Sequence, residues 1–206
     1  ITQLVSDGAE ADDVISLVAQ LPDFEDWQKV IVSSDKDFFQ LLDDKTVVYR
    51  PTQKEVLNKN NIIEKYGIHP TNFALARAIV GDKSDNLDGV PGVGLATVAK
   101  RLPFLKEEKT YGIDKVVEFC ENSNLTLKAY TNIVESEDLI KENYQLMQLY
   151  APSISVQNKT KIKTTIRDTE LAFNKTLTNG MMLEDGIGKT NWNDLYTVFR
   201  KIVTRK

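Results

Sequence analysis

The sequence predicts an α/β fold in which a largely parallel sheet with flanking helices gives way to a helix-hairpin-helix and then to a mostly helical C-terminal region. Three observations lead there. In the first half, short β-branched runs alternate with segments whose apolar residues recur at helical spacing. Between Gly81 and Arg101, closely spaced glycines separate an acidic turn from a basic helix. Beyond Ile113 the apolar residues recur almost wholly at helical spacing. The 206 residues suffice for one large domain, or a domain with an appendage, without covalent staples.

Taken in order, Thr2 to Val5 reads as a strand leading into the turn Ser6-Asp7-Gly8. Ala9 to Leu21 is a helix, with Val14, Leu17, Val18 and Leu21 on its apolar face. Its first turn holds Glu10, Asp12 and Asp13. Acidic residues suit a helix N-terminus through the dipole, yet carboxylates this crowded repel one another and are more comfortable beside a cation. After a polar connection from Pro22 to Trp27, Val30-Ile31-Val32 has the continuous apolar character of a buried parallel strand. Asp35 and Asp37 follow just past its carboxyl end, where open α/β sheets place their active sites. Phe38, Phe39, Leu41 and Leu42 begin a short helix, and Thr46 to Tyr49 is a further strand stopped by Pro51. Asn58 to Tyr66 and Thr71 to Val80 are helices separated by Gly67-Ile68-His69-Pro70. His69, the only histidine, sits before proline in a turn and reads as structural.

In the next stretch, Asp82 and Asp85 are three apart, a spacing that puts both on one side of a helical turn, where hard divalent cations accept oxygen ligands. Gly89, Gly92 and Gly94, with Pro91 among them, form a tight turn, and Leu95 to Leu102 is a short helix carrying Lys100 and Arg101. Such a turn exposes backbone N–H groups beside the positive end of a helix, which suits a phosphate. It is a helix-hairpin-helix signature, a sequence-independent grip on a nucleic-acid backbone. The glycine order is not that of the dinucleotide fingerprint, and no strand precedes it.

Ile113 to Asn122 and Leu125 to Tyr150 read as mostly helical, the latter through Leu139, Tyr144, Leu146, Met147 and Tyr150. Residues 151–167 show no assignable pattern. Trp192, Leu195, Tyr196, Phe199, Ile202 and Val203 form the stripe of an amphipathic final helix. Gly186-Ile-Gly-Lys-Thr190 resembles the end of a P-loop, but Leu183 stands where that motif requires glycine, so it reads as a turn.

Composition narrows the class. A single cysteine, Cys120, excludes an internal disulfide framework and any multi-cysteine zinc site, and suits a small buried hydrophobe in a reducing compartment. No apolar run could span a bilayer and no signal-peptide pattern is present, so the expectation is a soluble, intracellular protein. The chain opens at Ile1 and reads as a fragment or processed product. Net charge is −4, but acidic residues dominate up to residue 50 and basic ones prevail after residue 90. A metal site beside a backbone-binding surface would distribute charge in this way.

Three carboxylate clusters thus lie at strand ends or turns: Glu10/Asp12/Asp13, Asp35/Asp37 and Asp82/Asp85. All-carboxylate ligation selects Mg²⁺ or Mn²⁺ over zinc. Two such ions about 4 Å apart would clamp the attacking and leaving oxygens of an in-line phosphoryl displacement.

Four segments carry a family resemblance: Glu-Ala-Asp-Asp (10–13), Ser-Ser-Asp-Lys-Asp-Phe-Phe-Gln-Leu (33–41), Lys-Tyr-Gly-Ile (65–68) and Gly-Asp-Lys-Ser-Asp-Asn-Leu-Asp-Gly-Val-Pro-Gly-Val-Gly (81–94). In this order, across residues 1–105, they resemble the 5′-nuclease family, which includes the 5′–3′ exonuclease domain of bacterial polymerase I and the phage and cellular flap endonucleases. The resemblance implies a PIN-like (Rossmann-like) domain whose C-terminal part is residues 1–80, a metal-site turn and helix-hairpin-helix over 81–105, and a helical region over 106–206 that completes the fold. It implies metal-site carboxylates at Glu10, Asp12, Asp13, Asp35, Asp37, Asp82 and Asp85, with Glu10, Asp12, Asp35, Asp37 and Asp82 as the catalytic set. DNA contacts would come from Lys83, Gly89, Val90, Gly92, Val93, Gly94, Thr97, Lys100 and Arg101. Two Mg²⁺ or Mn²⁺ ions, with a monovalent cation (K⁺) at the hairpin, complete the implied complement. The implied activity is structure-specific 5′ cleavage of branched or nicked duplex DNA with a 5′ flap, or of an RNA–DNA hybrid. The implied setting is a monomer acting in replication or repair, in the cytoplasm of a bacterium or a phage-infected cell.

The family's N-terminal section, with a first strand bearing an essential aspartate and a basic arch, has no counterpart in this sequence. No polymerase region follows Lys206, which favours a stand-alone nuclease. Two alternatives compete. A non-catalytic helix-hairpin-helix module would gain nothing from concentrated carboxylates near phosphates, and a phosphatase of the Asp-x-Asp type would leave the hairpin unexplained.

Overall fold

The computed structural model describes residues 2–169, 173–187 and 191–204. They form two compact units, Ser6–Val156 and a second made of Ile1–Val5 with Gln157–Lys206.

The larger unit contains a three-stranded sheet, β1 (Lys29–Val32), β2 (Thr46–Arg50) and β3 (Glu55–Leu57), in that spatial order. β1 pairs parallel with β2, Val30 opposite Val47 and Val32 opposite Tyr49, and β2 pairs antiparallel with β3, Tyr49 opposite Val56. Two expectations are corrected here. Thr2 to Val5 is not a strand, because it joins no ladder. Pro51 ends β2 as expected, but the chain then turns through Lys54 at φ 54° and returns as β3. The apolar run of β1 also behaves differently from a strand buried on both faces. It lies at the edge, with Ile31 buried while Val30 and Val32 are 55% and 64% exposed.

Seven helices complete this unit: α1 (Ala11–Ala19), α2 (Lys59–Tyr66), α3 (Phe73–Val80), α4 (Leu95–Arg101), α5 (Ile113–Glu121), α6 (Lys128–Glu135) and α7 (Glu137–Met147). Asn58 starts α2 by accepting the Asn61 N–H (3.0 Å), and Gly67 ends it at φ 69°, a left-handed value that favours glycine. The single helical region read from Leu125 to Tyr150 is two helices broken at Ser136.

The core is centred on α3, buried from Phe73 to Ile79 and packed against α7 and the 3₁₀ turn Asp37–Leu41. Phe39, Phe73 and Tyr66 meet edge to face there. From this centre apolar packing runs continuously to Ile31 and Val48 in the sheet and to Val98, Leu102, Val116 and Ile140 in the helices. Burial of each such side chain contributes about 1.5–3 kcal/mol. Polar side chains fasten the end of α7 to this core. The buried Gln40 amide donates to the Met147 carbonyl (2.9 Å) and accepts from the Leu149 N–H (2.7 Å).

The second unit holds α8 (Val156–Asp168), α9 (Lys175–Glu184) and α10 (Trp192–Thr204). α8 covers most of the stretch to which the sequence assigned nothing, and α9 was not anticipated. Both lack a strong apolar stripe: Ile162 is the one buried residue of α8, and α9 has none. α10 is the expected final helix, and Phe173 packs on its Tyr196 and Phe199 rings. The side chains of Ile202 and Val203 lie outside the described residues, as do positions 188–190 of the turn resembling a P-loop.

Candidate active site

β1 delivers the first acidic pair. Ser33 still bonds the sheet through its N–H to the Tyr49 carbonyl (3.0 Å). The chain then leaves it, the Asp35 N–H donating to Ser33 Oγ (3.1 Å) and the Asp37 N–H to Asp35 Oδ1 (2.9 Å). Phe38 to Leu41 are buried and draw the 3₁₀ turn inward. Asp37 is left at the rim with its side chain 15% exposed, while Asp35 stands in solvent.

α3 delivers the second pair and connects the two. Arg77, 8% exposed, donates from Nε to Asp37 Oδ1 (3.1 Å) and from Nη2 to Asp82 Oδ2. One guanidinium therefore joins carboxylates that the chain separates by most of the sheet and two helices. Asp82 Oδ1 also accepts the Ser84 N–H (2.8 Å) and the Ser84 hydroxyl. These partners have different consequences. Burial pushes the Asp37 carboxyl up, outweighing the attraction of Arg77, and the neighbouring Asp35 and Asp82 charges push the same way. The Ser84 hydroxyl bond, helped by the Ser84 N–H and by Arg77 against a burial penalty, brings Asp82 down to about 2.

Residues 82–87 are not the helical turn expected from the Asp82/Asp85 spacing. They form a closed ring, in which the Asp82 N–H donates to the Leu87 carbonyl (2.9 Å) and the Leu87 N–H returns to Asp82 (2.8 Å). Asn86 takes φ 58° within it, and Lys83 and Asp85 are exposed at the tip. The ring lies against the end of α3. A Cβ on Gly89 would stand 1.8 Å from the Val80 carbonyl oxygen, and Val90 donates its N–H to Ile79 (2.8 Å). The glycine turn continues through Gly92 at φ 72° to Gly94, which precedes α4 with extended backbone and accepts the Thr97 and Val98 N–H groups. Val90 and Val93 are buried, so only their backbones could meet a ligand; Gly92, Gly94 and Lys100 are exposed, and Arg101 half-buried.

The third cluster serves α1. The Glu10 N–H donates to Asp13 Oδ2 (3.4 Å), the Asp13 N–H to Asp12 Oδ1 (2.8 Å), and the Ser153 N–H to Asp13 Oδ1 (3.3 Å). α1 packs on the 3₁₀ turn that begins at Asp37. Among the described residues, however, no three Asp, Glu, His or Cys side chains converge closely enough to share an ion. Of the three clusters, two are joined through Arg77, and the Glu10 cluster caps α1. What the structure does assemble suits a hard cation held by one or two carboxylates and water, the usual arrangement for Mg²⁺. Asp35 is open, and among the described residues Asp37 Oδ2 accepts no hydrogen bond.

Residues 1–67 match the family model described as 5′-3′ exonuclease, N-terminal resolvase-like domain. The 5′-3′ exonuclease of Aquifex aeolicus is 34% identical over 143 residues, 69% of this chain and 46% of that protein. That of Buchnera aphidicola is 42% identical over 90 residues, 44% of this chain and 31% of that protein. These matches support the 5′-nuclease family. The matches span less than half the length of these relatives. The mixed α/β architecture agrees with that of a 5′ nuclease solved with DNA and metal ions, the bacteriophage T5 flap endonuclease. The TM-score is 0.63 at 20% identity, covering 78% of this chain and 61% of that one.

Within this chain, three side chains that shape the site escaped the sequence reading. Arg77 had a legible signal, a lone charge inside the apolar run Phe73–Val80, five residues before Asp82. Asn143, 2% exposed, donates to the Ala78 and Asp88 carbonyls (3.0 and 2.8 Å), and Asn132 to that of Pro91 (2.7 Å). These two lock the glycine turn to α7 and α6, and nothing local in the sequence marks them.

Proposed function

We propose that this chain belongs to a structure-specific 5′ nuclease that hydrolyses phosphodiester bonds in DNA at 5′ flaps or duplex ends, with RNA primers as a second substrate. The observation that carries this reading is the joining of Asp37 to Asp82 through Arg77, one rigid turn away from the exposed glycines at 92 and 94. Anionic groups that attract a divalent cation thus adjoin backbone suited to a phosphate. Asp37 and Asp82 would hold the cation together with water, with Asp35 on the solvent side. When bound, Mg²⁺ or Mn²⁺ supplies charge stabilisation at the scissile phosphate. Gly89–Arg101 acts as the helix-hairpin-helix, its backbone amides and Lys100 holding the duplex irrespective of sequence. Lys83, at the tip of the 82–87 ring, adds a positive charge between the two sites. Two divalent ions, K⁺ at the hairpin and action as a monomer are parts of the same proposal.

Among the described residues no helix is long and apolar enough to cross a membrane. A pure DNA-binding module is disfavoured, because carboxylates kept beside a phosphate-binding turn oppose DNA binding and need a cation to be useful. The test is a labelled 5′-flap duplex incubated with the protein and Mg²⁺. Release of flap fragments, abolished by EDTA and by Asp37→Asn, is the expected result. Flap binding by wild type and by Asp37→Asn with no cleavage by either would leave the binding module as the reading.

A further inference from the structure

We propose that Arg77 is the positioning residue of the carboxylate site, holding Asp37 and Asp82 in a fixed mutual orientation so that a divalent cation meets ligands already placed. This rests on the reading of that site as a cation site. A guanidinium presents its N–H groups in a rigid planar fork, which suits it to hold two carboxylates at once. Here Nε takes Asp37 and Nη2 takes Asp82, with the side chain of Arg77 only 9% exposed.

Counting lone pairs distinguishes a clamp from a competitor. The two oxygens of an ionised carboxylate offer about four acceptor sites. Arg77 occupies one on Asp37, whose Oδ2 accepts no hydrogen bond among the described residues. Asp82 accepts three donors, two from Ser84 and one from Arg77, which leaves it a site on Oδ2. Both carboxylates can therefore ligate without releasing Arg77. It acts through them, as hydrogen-bonding partners behind metal ligands generally do, and loss of such partners costs about 10–100-fold in metal affinity. Among the described residues Arg77 is the side chain that bonds both carboxylates and so couples their placement.

The experiment is Mn²⁺ titration calorimetry on the purified chain, wild type against Arg77→Met and Arg77→Lys, with circular dichroism as the check on folding. Arg77→Met should weaken Mn²⁺ binding by about 10–100-fold. Arg77→Lys, which keeps the charge but not the fork, should fall between the two. Mn²⁺ bound equally or more tightly by a folded Arg77→Met would overturn the proposal, and tighter binding would mark Arg77 as a competitor. Should Arg77→Met not fold, wild type decides by nitrogen-15 NMR of the Arg77 Nε–H during Mg²⁺ addition. A clamp keeps that proton protected and shifts its resonance; loss of the protected signal on Mg²⁺ binding overturns the idea. Absence of Mn²⁺ binding by wild type would instead sink the nuclease reading itself, whereas wild-type binding abolished by Asp35→Asn with Arg77→Met unaffected would sink only the role of Arg77.

Discussion

Asp37 and Asp82 share one guanidinium that favours the charge of both, yet their carboxyls shift in opposite directions. At the start of the 3₁₀ turn, Asp37 is held against the aromatic core, and loss of water outweighs the nearby positive charge. In the ring after α3, Asp82 receives two bonds from Ser84 before Arg77 is counted, and its charge is favoured. A shared ion pair therefore does not set the behaviour of its members. What decides is how many donors each acid has from its own stretch of chain, and how much water it keeps.

The strongest way to break this contrast is to remove the shared partner. Arg77→Met should destabilise the fold by roughly 3–5 kcal/mol at neutral pH in urea unfolding with EDTA, as expected for a buried ion pair that loses one member. Most of the loss should trace to Asp37. The double variant with Asp37→Asn should recover more stability than the double variant with Asp82→Asn, and the reverse order would show that Asp82 is the dependent partner.

Next in size is Gly89→Ala. Its Cβ would meet the Val80 carbonyl and must push the turn off α3, at a cost of about 1–3 kcal/mol or more. If the ring is what favours the Asp82 charge, the same change should also raise the Asp82 carboxyl, read by carbon-13 NMR titration, and leave Asp37 unmoved.

A third test uses acid, again in EDTA. Asp82 falls from its ordinary value of 3.8 to about 2 on folding, so it contributes stability that is present above 3.8 and lost as pH falls toward 2. Asp37 is raised, so the folded state holds its proton longer, and stability declines as pH climbs from the ordinary value through the raised one. Asp82→Asn should flatten the acid limb of the stability curve below pH 4, and Asp37→Asn should remove the opposing slope just above it. Identical curves for the two variants would contradict the contrast. The smallest effect expected is that of Ser84→Ala, about 0.5–1.5 kcal/mol above pH 4, vanishing near pH 2 as Asp82 becomes protonated.

Much of this was legible in the sequence. Val30–Val32, Thr46–Tyr49, Asn58–Tyr66 and Leu95–Leu102 became elements within a residue or two of where their patterns placed them, because each pattern matches the period of its element. The acidic residues at 35, 37 and 82 were visible as carboxylates at the ends of elements. What failed to read out was non-local. Exposure of Val30 and Val32 depends on the sheet face opposite Ile31 being left uncovered, which three residues cannot announce. The ring at 82–87 kept the spacing of a helical turn but not its geometry, because the Asp82–Leu87 bridge and the left-handed Asn86 prevailed. Asn143 sits unremarkably on α7, and only the fold shows that it ties Asp88 to α3.

The close fit of Gly81 and Gly89 against one another bears on how this segment can vary in length. Cβ positions built on Gly81 and Gly89 would lie within 3 Å of backbone atoms across the gap, and the hydrogen bonds Asp82–Leu87 and Val90–Ile79 close the loop from both ends. There is no slack. Exposed positions such as Lys83, Asp85 and Asp88 can change identity freely as far as packing is concerned, but adding or deleting one residue between Gly81 and Gly89 would break both closures at once. Across variants of this chain, the count of residues from Asp82 to Gly89 should therefore hold even where an exposed residue between them changes, and a library of single-residue insertions scored for folding should show a gap over this interval and tolerance in the loop around Ser123.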